Sequence, residues 1–390
     1  MPSHVVLTTD FPPSTGGIQQ YVQQIWGDGS IGPVAVIAPK TPGYAAFDAT
    51  FPGRVLRLPA GPPFGGAGYL AGVAATLPRF VRGDAAVHVA NVLLAPSLLP
   101  YLPFFRGRLI AYTHALEVTH PRLRAPIATL LSRADAVSVI SDYGQSLALA
   151  HGARAERIVR ISPGGDSLRK RFPSPDARAF RRAWHIGDDD IVILSVARVS
   201  SLNRYKGFDT AVRIMPELLA RHANVRWVVV GDGDDLEHYR TSARERGIAH
   251  AMHFTGYADD ATLAQAYAAC DMFALLSREE RGEKGVMAEG YGIVFVEANS
   301  YGKPSVGLRA GGVPSAVLDG ITGLLADVDD ASIVRTIARL VEDRALAARL
   351  GADGERRAMT EGGWDHARAC MLRTVAGLPR QRSRTAGSRV

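Results

Sequence analysis

Short runs of β-branched and other apolar residues recur along this chain at intervals that a helix can fill. They are HVVLTTD (4–10), VAVIA (34–38), AVSVIS (136–141) and RIVRIS (157–162), then IVILSVARV (191–199), RWVVVGDG (226–233), MHFTGY (252–257), DMFALLS (271–277) and KPSVGL (303–308). Continuous apolar runs of this length, separated by amphipathic stretches, predict the buried strands of parallel sheets built from βαβ units. The pattern runs twice, so the expected fold class is α/β with two Rossmann-like, doubly wound domains. Between the two sets lie SPGGD (162–166) and a charged, proline-containing segment (167–190). We therefore expect an N-terminal domain over 1–170, a second domain over 188–360, and an interdomain cleft, because ligands of such sheets bind beyond the carboxyl ends of the strands. Helical patterns follow at 330–350 and 362–376. In the last helix (361–378) Trp364, Ala367, Cys370, Met371 and Val375 share one side, and the helix is expected to pack back across the domains. The basic tail, 379–390, reads as disordered.

A length of 390 residues suits two cores better than one. The start MPSHVVLTTD has no basic segment leading into an apolar one, and no apolar run reaches the roughly 18 residues of a membrane span. A cytoplasmic protein is the expectation. The two cysteines, Cys270 and Cys370, belong to no CxxC or Cys/His cluster, so neither a disulfide framework nor a metal site is expected. Five of the seven net positive charges fall in residues 1–160, which hold 13 Lys and Arg against 8 Asp and Glu. That region includes LLAPSLLPYLPFFRGR (93–108), apolar and ending in Arg106 and Arg108. It reads either as a face for anionic lipid headgroups, and hence peripheral membrane association, or as a buried strand and helix under a generic basic surface. No reader motif or aromatic-interleaved basic stripe points to nucleic acid.

Several loops carry candidate chemistry. Gly16 and Gly17 sit where the first strand's exit loop becomes a helix. They suit either a phosphate approached by backbone amides or a plain turn. His114 lies just past a strand end, facing the cleft or capping a loop, whereas Glu117 and His120 read as solvated. Arg198 stands at the end of an apolar strand, in a context that argues against a solvated charge, and Lys206-Gly207 precedes the next helix. Together the two cations make a diphosphate clamp. The turn with Gly231 and Gly233 and the segment around Tyr257 suit the edge of a flat base. In EGYGIVFVE (289–297), Gly290 and Gly292 argue against helix, so Glu289 is placed in a loop and the helix begins near Ile293. Glu297 then falls in the second turn, and amides at 291–294 form an anion-friendly helix start between the two acids.

These segments in this order, from GGIQQYV through SPGGD, RVSSLNRYKGFD, VVVGDGDD, FTGYADD and EGYGIVFVEANSYGKPSVG to GGVPSAVLDGITGLL, resemble family 4 of the retaining, nucleotide-sugar-dependent glycosyltransferases of the GT-B fold. The resemblance implies roles by position. Gly17 contacts the donor phosphate. Arg198 and Lys206 hold the diphosphate and stabilise the departing nucleotide. Glu297 binds the ribose hydroxyls. Glu289 and the backbone of Gly290, Tyr291, Gly292, Ile293 and Val294 bind the transferred hexose, and His114 lies near its C6 hydroxyl. It also implies a UDP- or GDP-linked donor such as UDP-glucose or GDP-mannose, a lipid-linked or saccharide acceptor, no cofactor and no metal, since cations neutralise the leaving group. Departures are Ser315 where the family usually has Glu, Ala197 for a common Gly, and a longer charged loop over 278–288. The alternatives kept are a non-catalytic nucleotide-sugar-binding protein and a GT-B epimerase.

Overall fold

A computed structural model describes residues 3–60, 65–81, 84–282 and 285–379. The basic tail after Pro379 lies outside the described residues. By its internal contacts the chain separates into two units, one running to Ser162 and resuming at Ala367, the other Pro163–His366.

The first unit is a seven-stranded parallel sheet of β1 (His4–Leu7), β2 (Val34–Pro39), β3 (Arg54–Leu58), β4 (Ala86–Val89), β5 (Arg108–Thr113), β6 (Ala136–Val139) and β7 (Ile158–Arg160), in the order β3-β2-β1-β4-β5-β6-β7. Its central strands are buried on both faces, as in β2, where all six residues are buried. That is why they read as unbroken apolar runs. The strand order reverses between β1 and β4, so the loop after β1 opens at the sheet's switch point. The following helix, Gly17–Trp26, buries Tyr21, Val22, Ile25 and Trp26 along one stripe. From Ala367 on, the last helix (Trp364–Gly377) belongs to this unit. Ala367, Met371 and Val375 are buried, and Arg368 reaches Asp28 at 2.8 Å and the Gln24 carbonyl at 2.6 Å.

The core of this unit holds a polar chain. His4 Nδ1 lies 3.1 Å from His88 Nε2, His88 Nδ1 lies 2.8 Å from the Tyr112 hydroxyl, and that hydroxyl donates to Met371 Sδ at 3.2 Å. Trp26 packs edge-on against His88 with centroids 4.4 Å apart. Burial, and then His4, push the His88 pKa well down. Burial, and then Arg108, lower that of His4. A histidine whose folded pKa is depressed contributes stability that is full above its unfolded pKa of about 6.5 and is lost as the pH falls below that value. Urea midpoints are therefore expected to drop between about pH 7 and pH 5.5, ahead of most carboxylate titration. In His88→Gln that part of the slope should flatten, and an unchanged slope would clear His88 of the effect.

The second unit is a six-stranded parallel sheet of β8 (Ile191–Val196), β9 (Val225–Val230), β10 (Met252–Gly256), β11 (Met272–Ala274), β14 (Ser305–Leu308) and β15 (Gly323–Ala326), in the order β10-β9-β8-β11-β14-β15. An antiparallel hairpin, β12 (Glu280–Gly282) and β13 (Gly285–Met287), occupies the charged loop. Here the order reverses between β8 and β11, so the loops leaving these two strands meet at the switch point. SPGGD proves to be a packing element. A Cβ on Gly164 would stand 2.4 Å from the Trp364 nitrogen and one on Gly165 2.4 Å from Val296 C, while Asp166 Oδ1 accepts the Trp364 N–H at 2.8 Å. Only glycine allows backbones this close.

Candidate active site

The second unit brings together residues far apart in the chain. Lys206 closes the loop that leaves β8, Ser277 ends the exit of β11, and Glu289 follows the hairpin. Lys206 Nζ is ion-paired with Glu289 Oε2, and Ser277 Oγ lies 3.5 Å from the same oxygen. Only 16% of the Lys206 side chain and 13% of that of Glu289 are exposed. Burial works against the Lys206 ammonium, but Glu289 and Tyr205 outweigh it and its pKa is raised. Lys206 is therefore a fixed cation at neutral pH. The loops are locked by backbone contact, since a Cβ on Gly207, at φ +80°, would stand 2.2 Å from the Leu276 carbonyl oxygen.

The carbonyl of Glu289 accepts the Gly312 N–H at 2.7 Å, so the exit of β14 supports it from behind. A side chain on Gly312 would lie 1.9 Å from the Gly290 oxygen, which explains the second glycine of GGVPS. Ser315, where a carboxylate was expected by resemblance, lies in the short helix Val313–Ala316, and its carbonyl accepts from Arg357 at 3.2 Å.

The helix starts where the glycines place it. Gly292, at φ +93°, is the N-cap of Ile293–Ser300, and no side chain caps that end. The Phe295 N–H donates to the Gly292 carbonyl at 3.1 Å, and the amides before it lie at the helix end that favours an anion. Glu297 sits in the second turn with 7% exposure, accepting the Tyr267 hydroxyl at 2.9 Å. Burial, and then Glu297 itself, hold the Tyr267 pKa well above its ordinary value, so Tyr267 stays a donor.

Arg198 departs from the expectation. It is exposed, because β8 ends at Val196 and the side chain leaves the sheet two residues beyond its edge. Its charge still bears on Tyr205 beside Lys206. Gly231 and Gly233 pass so close to the Ala197 and Val199 carbonyls that a Cβ would stand 1.9 Å and 2.1 Å from those oxygens. Tyr257 lies past the end of β10 with 79% exposure. In the same loop Asp259 is the N-cap of Asp260–Ala269, accepting the Thr262 N–H at 2.8 Å.

In the first unit His114 is 8% exposed. Its Nε2 lies 2.8 Å from the Ala90 carbonyl, which can only accept, so Nε2 carries the proton. Its backbone N–H donates to Glu117, which is thus a loop staple rather than a solvated acid. The next residue, Ala115, adopts φ 122° although it is not glycine. Strain of this kind persists only where the surroundings over-determine the backbone.

Sequence reasoning passed over Asp10, at the exit of β1. Gln19 Nε2 reaches its Oδ1 at 3.2 Å and Asn91 Nδ2 its Oδ2 at 3.1 Å. Gly16, at φ 157°, ends the same loop and Gly17 opens the helix that follows. The signal available was an acid three residues past a buried strand and two residues before a proline pair. Ser277 and Tyr267 were passed over as well, and Tyr205 was ambiguous from sequence.

A family model described as glycosyl transferases group 1 matches residues 176–357. A GDP-mannose-dependent alpha-(1-6)-phosphatidylinositol monomannoside mannosyltransferase of Mycolicibacterium smegmatis is 32% identical over 392 residues, covering 96% of this chain and 98% of that protein. Its namesake in Mycobacterium tuberculosis strain H37Rv is 32% identical over 381 residues, covering 93% and 94%. Among solved structures, Anabaena HepE in complex with UDP and glucose superposes with a TM-score of 0.77 over 96% of this chain and 100% of that one, at 20% identity, a likeness of fold that agrees with the expected GT-B class. With a relative of this identity matched along nearly its whole length, the chain belongs to the group 1 glycosyltransferases.

Proposed function

We propose that this glycosyltransferase is a retaining, metal-independent mannosyltransferase that moves mannose from GDP-mannose to a phosphoinositol-based mannolipid acceptor. The observation that carries the reading is the Lys206–Glu289 pair at the switch point of the second sheet, with Glu289 three residues before a helix N-cap that no side chain caps. The choice of mannose, GDP and the lipid rests on the full-length mycobacterial relatives.

The chemistry follows from charge. Leaving of the diphosphate builds negative charge on its oxygens and oxocarbenium character at the sugar. Lys206 and Arg198 offset the first, so neither a protein acid nor a metal is needed to start the departure. Lys206 exchanges Glu289 for the diphosphate as donor binds, and Glu289 turns to the hexose hydroxyls with the amides of Gly290 to Val294. Glu297 takes the ribose diol, Gly231, Gly233 and Tyr257 flank the base, Gly16 and Gly17 contact phosphate, and His114 contacts the sugar. The acceptor hydroxyl attacks on the leaving-group side as the bond to the diphosphate breaks and gives its proton to a departing diphosphate oxygen, which retains configuration. Asp10 and Asn91 are polar groups of the first unit suited to an acceptor hydroxyl.

The test is donor consumption by purified protein with GDP- and UDP-linked mannose and glucose, with and without a chelator, and with the glycolipid present or omitted. Selective, chelator-insensitive and acceptor-dependent use of GDP-mannose is expected. Preference for UDP-glucose, or loss with chelator, would overturn the donor or the metal-free clamp respectively. GDP binding with no turnover of any donor would favour the non-catalytic alternative.

No helix of the described residues is long and apolar enough to cross a membrane. Peripheral contact with an anionic bilayer is proposed from Phe104, 66% exposed beside the exposed Arg106. Co-sedimentation with phosphatidylinositol-containing vesicles should exceed that with zwitterionic ones and weaken in Phe104→Ser. Equal pelleting of both proteins would reject this surface.

A further inference from the structure

An arginine is buried in the edge strand of the first sheet. In β3 (RVLRL) Arg57 is the only buried residue, and 3% of its side chain is exposed. Its guanidinium forks Asp48, with Nε 3.0 Å from Oδ2 and Nη2 2.7 Å from Oδ1. The remaining N–H groups reach two backbone carbonyls, Pro39 through Nη1 at 2.9 Å and Pro12 through Nη2 at 2.5 Å. The cation lies 5.2 Å from the centre of the Phe11 ring and 5.7 Å from that of Tyr44. One side chain thus joins the end of β2, the helix Tyr44–Asp48 and the loop that leaves β1.

That loop contains a proline pair. Pro12 and Pro13 have no N–H, so neither can anchor the backbone as a donor. Ser14 Oγ donates to the Phe11 carbonyl at 3.0 Å, and Phe11 is fully buried. The Pro12 carbonyl is held from outside, by Arg57. Burying a charge costs desolvation, and an apolar residue in the same place is often as stabilising. What arginine adds here is direction, through five donors in one plane set on groups from three segments.

We infer that Arg57 is a positioning residue for the loop 11–17, and through it for Gly16 and Gly17. This rests on the assignment of those glycines to the donor phosphates made above. Lysine in its place keeps the charge but cannot serve Asp48, Pro12 and Pro39 together. The loop then loses the hydrogen bond at the Pro12 carbonyl, and the glycines lose their place at the phosphate.

Steady-state kinetics with GDP-mannose on Arg57→Lys and Arg57→Ala test the inference. The donor KM should rise about ten- to a hundredfold, the scale of an ångström-sized misplacement, with kcat held within about threefold. Free guanidinium should partly restore the KM of Arg57→Ala, and an equal concentration of sodium chloride should not. A purely structural role predicts instead a fall in kcat that follows the folded fraction in thermal melts, with KM unchanged, and that result overturns the inference. Should Arg57→Ala not fold, Arg57→Lys decides alone. Gly17→Ala separates the two levels. If it leaves the donor KM unchanged, the phosphate reading of the loop falls and the inference with it; if it raises KM while neither Arg57 variant does, only the inference falls.

Discussion

Lys206→Ala is expected to lower kcat/KM for the donor by roughly 10²–10³-fold, the usual effect of deleting one preorganised group that meets charge developing in a transition state. The expectation is large because this ammonium is set in place rather than flexible. It is mostly shielded from water, paired with Glu289, and its pKa is raised despite burial. In a water-poor site a fixed cation acts on a departing diphosphate more strongly than a solvated one. The same substitution strips Glu289 of its counter-charge, and leaving one partner of a largely buried pair alone costs roughly 3 kcal/mol of stability. Melting temperature must therefore be measured beside the kinetics. Pairing Lys206→Ala with Glu289→Ala completes a double-mutant cycle. Some stability should return in the double variant while turnover stays lost. Turnover near that of the unmodified protein in Lys206→Ala would remove the diphosphate clamp from the mechanism.

Glu289→Ala should abolish most turnover while GDP affinity stays within about threefold, because this carboxylate is assigned to the hexose and not to the nucleotide. The structure makes the separation demanding. Glu289 holds Lys206 in the donor-free protein, so its loss frees the cation, and GDP binding should strengthen slightly if it changes at all. Glu289→Gln refines the result. The amide keeps the size and can still accept from Lys206, yet it lacks the charge that stabilises an oxocarbenium-like centre. Turnover in Glu289→Gln should therefore stay low with melting behaviour closer to the unmodified protein than that of Glu289→Ala. If GDP affinity collapses in both variants, Glu289 acts chiefly by placing Lys206, and its direct contact with the hexose is mistaken.

Much of the architecture was legible from apolar runs alone. Nine of them appear as strands because a parallel sheet covered on both faces demands uninterrupted apolar residues. β3 escaped notice because an edge strand carrying two arginines does not look buried, and β4, AVHV, because its histidine belongs to an internal hydrogen-bonded chain. The change of unit was expected near 167–188, where composition turns polar, whereas the contacts divide at Ser162 and Pro163. Composition marks solvent exposure, and the packing of Gly164 and Gly165 depends instead on the absence of a side chain.

Candidate site residues divide along the same line. Local stereochemistry put the helix start at Ile293 and left Glu289 outside it, since glycine before a helix and carboxylates on either side act over a few residues. Arg198 was expected to be shielded because its neighbours are apolar, but a strand's burial ends with its hydrogen bonds, and the side chain two residues on meets solvent. The sequence by itself determined two doubly wound sheets, the loops that open at their carboxyl edges and the position of one helix start, because those depend on periodicity and on glycine. Only the tertiary structure decided that Lys206 meets Glu289 across 83 residues, that Tyr267 holds Glu297, and that Arg57 fastens Pro12. The first arises where strand order reverses and distant loops converge, the others where a helix or an edge strand packs on a distant segment, and no local pattern encodes which segments those will be.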